Sequence, residues 1–239
     1  MRVAWRGRLG DNGATHNFDR TDTVMQHASP LPSFLIDRFH AWKADDYSAQ
    51  EAHFHDLVDN GQHPHSMLIS CCDSRVNGTD IMGAAAGEFF IHRNIANFVP
   101  PHNPDNGEHG TAAALLYAVT ALGVQHITIM GHAHCGGVQG CHDMCSGKNE
   151  ALKDPDNAVG RWVSHIEPAF ARLAGTDKAD DIHAMEQEAV LVSLENLLSY
   201  PFIAEAVASG KLALHGLWHD IREGALHHYN ADKGAFEAL

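Results

Sequence analysis

The chain has 239 residues, with 16 Lys plus Arg against 30 Asp plus Glu, a formal net charge of −14 with its 20 histidines neutral. That balance argues against a nucleic-acid or anionic-membrane partner, since both need clustered basic side chains. The length suits one α/β domain that buries roughly 70–75% of its unfolded surface and needs no disulfides.

Residues 1–28 mix Gly, Asn, Asp and Arg without apolar periodicity and read as an irregular N-terminal arm. Residues 29–239 read as a single α/β domain. From Pro32 to Asn60 the spacing of Phe34, Leu35, Phe39, Trp42, Phe54, Leu57 and Val58 predicts helix, stopped by Gly61. Buried strands are expected at 67–71, 88–92 and 126–131, short apolar runs of the kind a covered parallel sheet contains. A Pro- and Asn-rich break over 100–107 precedes a helix from His109 to Leu122 with Gly123 as its stop. Further helices are expected at 138–145, 158–174, 184–198 and 202–209, then a strand at 211–221 with a hairpin partner at 224–229. Strands alternating with helices imply parallel pairing. The fold class is α/β, with a central, mostly parallel sheet of about four to five strands flanked by helices and an N-terminal helical arm.

Two of the strand ends carry metal-type ligands. Cys71-Cys72-Asp73-Ser74-Arg75 follows the first strand, and His132-Ala133-His134-Cys135 follows the third, about sixty residues later. In parallel sheets ligands gather beyond the carboxyl ends of the strands. Two neighbouring strands would there join two thiolates and one imidazole, a Cys2His set that leaves one tetrahedral zinc position open, as catalytic zinc sites do. A rival set is Cys135, Cys141, His142 and Cys145, or a Cys141–Cys145 pairing, but its spacing matches no common zinc module. Asp73 and Arg75, two residues apart, can form a bidentate ion pair beside the metal. Five cysteines, an odd number with two in ligand spacing, fit a reducing, cytoplasmic setting better than a disulfide framework. No early basic-then-apolar signal and no apolar run near 18 residues is present.

The stretches ISCCDSRV (69–76), EFFIHRNIANFVPP (88–101), GTAAALLYAV (110–119), ITIMGHAHCGGVQG (127–140) and the segment 190–224 resemble the β-class carbonic anhydrases, over about residues 33–229. The resemblance implies one zinc ion per subunit on Cys71, His132 and Cys135, and reversible hydration of carbon dioxide to bicarbonate. Asp73 and Arg75 would be the catalytic dyad. Gln62, Phe90 and Tyr117 match the family's type I substrate-side residues, with Gly136 beside them. The aromatic pair would come from a neighbouring subunit, which implies a dimer or tetramer. Asp73 would become a fourth zinc ligand only in a closed state that has lost Arg75. Leu68 stands where bicarbonate-regulated type II members carry Trp, so that regulation is not expected. His134 and His142 are expected proton relays. Two other readings stay open here: a carbon disulfide or carbonyl sulfide hydrolase on the same fold, and a non-catalytic zinc-binding interaction protein.

Overall fold

The computed structural model describes residues 29–103 and 110–239. The arm expected over 1–28, much of the break over 100–107, and His109 lie outside the described residues. The chain divides into two units, the first ending at His53 and the second running from Phe54 to Leu239.

In the first unit, α1 (Ser33–Trp42) passes through a π-helical turn, Lys43–Tyr47, into the start of α2 (Ser48–Asn60), whose residues from Phe54 onward belong to the second. Its aromatic residues contact one another: Phe39 and Trp42 ring centres lie 6.1 Å apart, and Trp42 and Tyr47 5.5 Å. No residue of α1 is buried, and Phe34, Leu35, Phe39 and Trp42 are all exposed.

In the second unit the helix stops at Gly61, whose φ of +86° only glycine adopts cheaply. Six strands follow: β1 (Ser66–Cys71), β2 (Phe89–Asn94), β3 (His126–His132), β4 (Ala213–Asp220), β5 (Ala225–Asn230) and β6 (Ala235–Ala238). They form one sheet in the order β2-β1-β3-β4-β5-β6. The first four are parallel, and β4-β5-β6 form an antiparallel meander. The expected α/β sheet is present with one strand more than expected, since β6 is too short and too exposed for its alternation to stand out.

Helices cover the sheet. The short α3 (Gly78–Ile81) follows β1, and α4 (Gly110–Leu116) runs into a π-helical segment, Tyr117–Leu122, that closes at Gly123 with φ +67°. Next come α5 (Gly136–Cys145), α6 (Ala158–Val163), α7 (Glu167–Leu173), α8 (Ile182–Leu197) and α9 (Pro201–Ala208). One core joins Met67, Ile69, Ile127 and Ile129 of the sheet to Leu115, Val190, Leu197 and Tyr200. A second joins Cys71, Ala96, Cys135, Val138 and Cys141 to Val163, Ile166, Met185 and Ala189. Cys71, at the end of β1, and Cys135, before α5, both belong to this second core, packed with residues of α5 and α8. Among the described residues no single helix is long and apolar enough to cross a membrane.

Candidate metal centre

β1 and β3 are adjacent and parallel in register, Ser70 opposite Met130, so Cys71 and His132 end side by side. Cys135 lies one turn beyond His132, at the start of α5. The sulfurs of Cys71 and Cys135 and a ring nitrogen of His132 all lie within 4.8 Å of one another, and all three residues are buried. Among the described residues this is the one group of three such donors.

The imidazole is prepared for a cation. His132 Nδ1 donates to the Ala133 carbonyl at 2.9 Å, which puts the lone pair on Nε2. Nε2 is fully buried and has no hydrogen-bond partner within the protein. An orphaned buried acceptor costs about 1–3 kcal/mol unless something occupies it. The thiols point the same way. The hydrogen bond from Cys135 lowers the Cys71 thiol to about 4, while the same contact, with burial, pushes the Cys135 thiol far above its ordinary range. The pair shares one proton, and only a cation makes both sulfurs thiolates. Backbone N–H groups already face each sulfur, from Asp73 and Ala96 at Cys71 and from Gly137 and Val138 at Cys135. Two thiolates, an imidazole and no further protein ligand suit zinc with an open position.

Tight backbone packing holds these groups in place. Ala96 has φ +64°, uncommon for a residue with a side chain. A Cβ on Gly137 would lie 2.9 Å from Ala96 Cβ and 2.8 Å from Ile95, so only glycine admits this approach of the α5 start to the Ile95–Asn97 turn. Arg93, in β2, donates to the carbonyls of Cys71 (2.9 Å), Asp73 (2.9 Å) and Val76 (2.7 Å), and so fixes the loop after the first ligand.

Asp73 and Arg75 pair as the spacing predicts. Arg75 donates from its backbone N (2.9 Å) and Nε (3.0 Å) to Oδ1, and from Nη2 (2.7 Å) to Oδ2. The guanidinium bonds hold the Asp73 carboxyl below the usual carboxylate range. Nη2 also donates to the His134 carbonyl at 3.0 Å, linking the two ligand loops. His134 itself is exposed and sits at φ +58°. Asp73 lies outside the close ligand group.

The remaining predicted residues fall elsewhere. Phe90 and Tyr117 meet, with ring centres 5.7 Å apart. Phe90, however, pairs with Met67, four residues upstream of Cys71, which puts it roughly 13 Å down the sheet from the ligands of its own chain. Gln62 is exposed on the segment before β1, at that same far end. Gly136 opens α5 and is exposed beside Cys135. The rival set does not assemble: Cys141 and Cys145 are free thiols whose sulfurs lie 4.0 Å apart on α5. His142 is buried with its ring against Phe170, so the structure does not place it at the mouth as a relay.

Glu186 is the residue the sequence reading missed. Only 1% exposed on α8, it accepts from the Cys135 backbone N (2.9 Å) at Oε1 and from Trp218 Nε1 (3.3 Å) at Oε2, which also meets His183 Nδ1 at 2.9 Å. A carboxylate on the buried stripe with Met185, Ala189, Val190 and Ser193 was the available signal. Glu186→Leu leaves two buried donors unpaired and is expected to cost about 2–5 kcal/mol, a fall in Tm of roughly 5–15 °C by calorimetry. Glu186→Gln, which keeps one acceptor, should lose less. An unchanged Tm in the leucine variant would show that the carboxylate carries no such weight.

Residues 66–226 match the family model described as carbonic anhydrase. Beta carbonic anhydrase 3 of Arabidopsis thaliana is 35% identical over 196 residues, 80% of this chain and 74% of that protein. A carbonic anhydrase of Synechococcus elongatus is 33% identical over 169 residues, and the chain spans 59% of its length and 69% of its own. Among solved structures, the β-carbonic anhydrase CcaA superposes with a TM-score of 0.77 at 32% identity, over 87% of this chain and 91% of that one. A tetrameric β-carbonic anhydrase of the ascomycete Sordaria macrospora superposes at 0.67 and 30% identity, over 86% of this chain and 98% of that one.

Proposed function

The chain belongs to the β-class carbonic anhydrases, zinc lyases that hydrate carbon dioxide reversibly to bicarbonate and a proton, and from that premise we propose how its own residues divide the work. The observation that carries the reading is the convergence of Cys71, His132 and Cys135 around an otherwise unpartnered Nε2. Zinc held by these three supplies the Lewis acidity that makes water nucleophilic near neutral pH.

Asp73 orients the attacking water. It is an acceptor only, and Oδ1 already takes two hydrogen bonds from Arg75 while Oδ2 takes one. Oδ2 therefore keeps the capacity to accept from water. Arg75 keeps the carboxylate turned away from the ligand group, which leaves the open position to water and substrate. Gly136, exposed beside Cys135, gives bicarbonate room to approach. A closed state in which Asp73 would hold the metal would require the carboxylate to leave the Arg75 guanidinium, which holds it by two hydrogen bonds. Stopped-flow carbon dioxide hydration by the zinc-loaded protein tests the reading, and no activity above the uncatalysed rate would end it.

The active assembly is at least a dimer. Phe90, Tyr117 and Gln62 stand at the end of the sheet remote from their own ligands, so in our reading they wall the substrate space of a second subunit. The exposed apolar residues Ile91, Leu116 and Tyr117 support this, because a second copy would cover them. Cys71→Ala and Tyr117→Ala chains should each be nearly inactive alone. Coexpressed, they should regain roughly a quarter of wild-type activity, since random pairing in a two-fold dimer leaves about one site in four intact. No recovery in demonstrated heterodimers would place the aromatic pair outside the partner's site. Five free thiols fit a reducing compartment, and we place the enzyme in the cytoplasm.

A further inference from the structure

We propose that His183 carries the product proton from the mouth of the metal centre to buffer in solution. The inference rests on the hydration reaction above, in which one water and one carbon dioxide yield one bicarbonate and one proton that must leave before the next turnover.

His183 lies in the first turn of α8 and is joined to the ligand loop by a single residue, Glu186. Its Nδ1 lies 2.9 Å from Glu186 Oε2, and Glu186 Oε1 accepts the backbone N–H of the ligand Cys135. Glu186 also accepts from Trp218 Nε1, so donors surround the carboxylate and His183 Nδ1 must donate too. The imidazole lone pair is then on Nε2. A proton taken at Nε2 gives an imidazolium that keeps its bond to Glu186, and the same proton leaves from Nε2 to a buffer base, restoring the starting tautomer.

The ring is held at the boundary between site and solvent. It packs edge-to-face on His134, between the ligands His132 and Cys135, at 5.2 Å, and on Trp218 at 5.5 Å. Its side chain is nevertheless 42% exposed. Three titratable groups face it: Glu186 from its own helix, His134 from the turn after β3, and Asp220 from the end of β4, close enough to interact with both imidazoles.

Stopped-flow hydration by zinc-loaded His183→Ala, in dilute non-imidazole buffer with and without added imidazole, tests this. In dilute non-imidazole buffer kcat should fall about tenfold, less than the ~10²–10⁴ of direct acid–base catalysis because solution buffer carries part of the transfer. The value of kcat/KM for carbon dioxide, which precedes proton release, should stay within about twofold, and imidazole should restore kcat. A merely structural role would lower kcat/KM with kcat and resist rescue. Either that pattern or an unchanged kcat in dilute buffer overturns the proposal. Absence of hydration in the wild type would instead strike the parent reading.

Discussion

Cys135→Ser is expected to lose zinc and carbon dioxide hydration together. A serine hydroxyl stays protonated at neutral pH and offers a harder, weaker donor, so Cys71 and His132 would be left to hold the ion by themselves. Partners outside the ligand set typically cost about 10–100-fold in affinity or activity, and loss of a direct ligand should exceed that. Elemental analysis should give close to one zinc per wild-type chain and almost none in the variant after dialysis. The thermal readout is independent of activity: a ligand that binds only the native state stabilises it by about 2.7 kcal/mol at one hundred times its Kd. Zinc should therefore raise the wild-type Tm and leave that of the variant unmoved. A Cys141→Ser, Cys145→Ser double variant should behave as wild type, because those sulfurs lie outside the ligand group. Full zinc retention in Cys135→Ser, with loss in the double variant, would move the centre to the rival set.

Asp73→Asn should separate catalysis from metal binding. The amide has nearly the volume of the carboxylate, but its NH2 opposes one of the Arg75 donors that now bond Oδ1 and Oδ2. The bidentate pair breaks, and the water loses its acceptor. A fall of about 10²-fold in kcat/KM is expected, within the range of an oriented acid–base group. Zinc content should stay near one per chain, because Asp73 is not among the three close donors. Arg75→Ala goes further: it frees the carboxylate and removes the donor to the His134 carbonyl. That variant should retain zinc and be at least as impaired. An Asp73→Asn enzyme with wild-type kcat/KM would refute the orienting role.

Much of this was legible in the residues themselves. The parallel strands were visible as short apolar runs because both faces of such a strand are covered, and β1 is buried along nearly its whole length. Gly61 and Gly123 marked helix ends correctly because their positive φ serves a local need. The Asp73–Arg75 pair was readable because two residues on one extended loop meet by local geometry. What escaped was non-local. Glu186 offered only the hint of a carboxylate on an apolar stripe, and its partner, a backbone N–H 51 residues away, is met only where α8 packs on the sheet. Arg93 gave no sign that it would bind three carbonyls of another loop. His142 was as good a relay as His134 on the page and is buried in the fold.

The order of residues alone supplies the chemistry: two thiols and an imidazole at strand ends, a carboxylate with its arginine, and a family resemblance strong enough to name the reaction. Those are properties of residue type and short spacing, set by covalent geometry and strand or helix period. Packing in three dimensions selects which donors converge and which do not. Register between β1 and β3 joins Cys71 to His132, while register between β1 and β2 carries Phe90 away from the ligands of its own chain. The contact between Gly137 and Ala96, closer than any Cβ allows, sets where Cys135 can stand. Strand register and backbone approach arise from packing among segments far apart in the chain, so no local pattern encodes them.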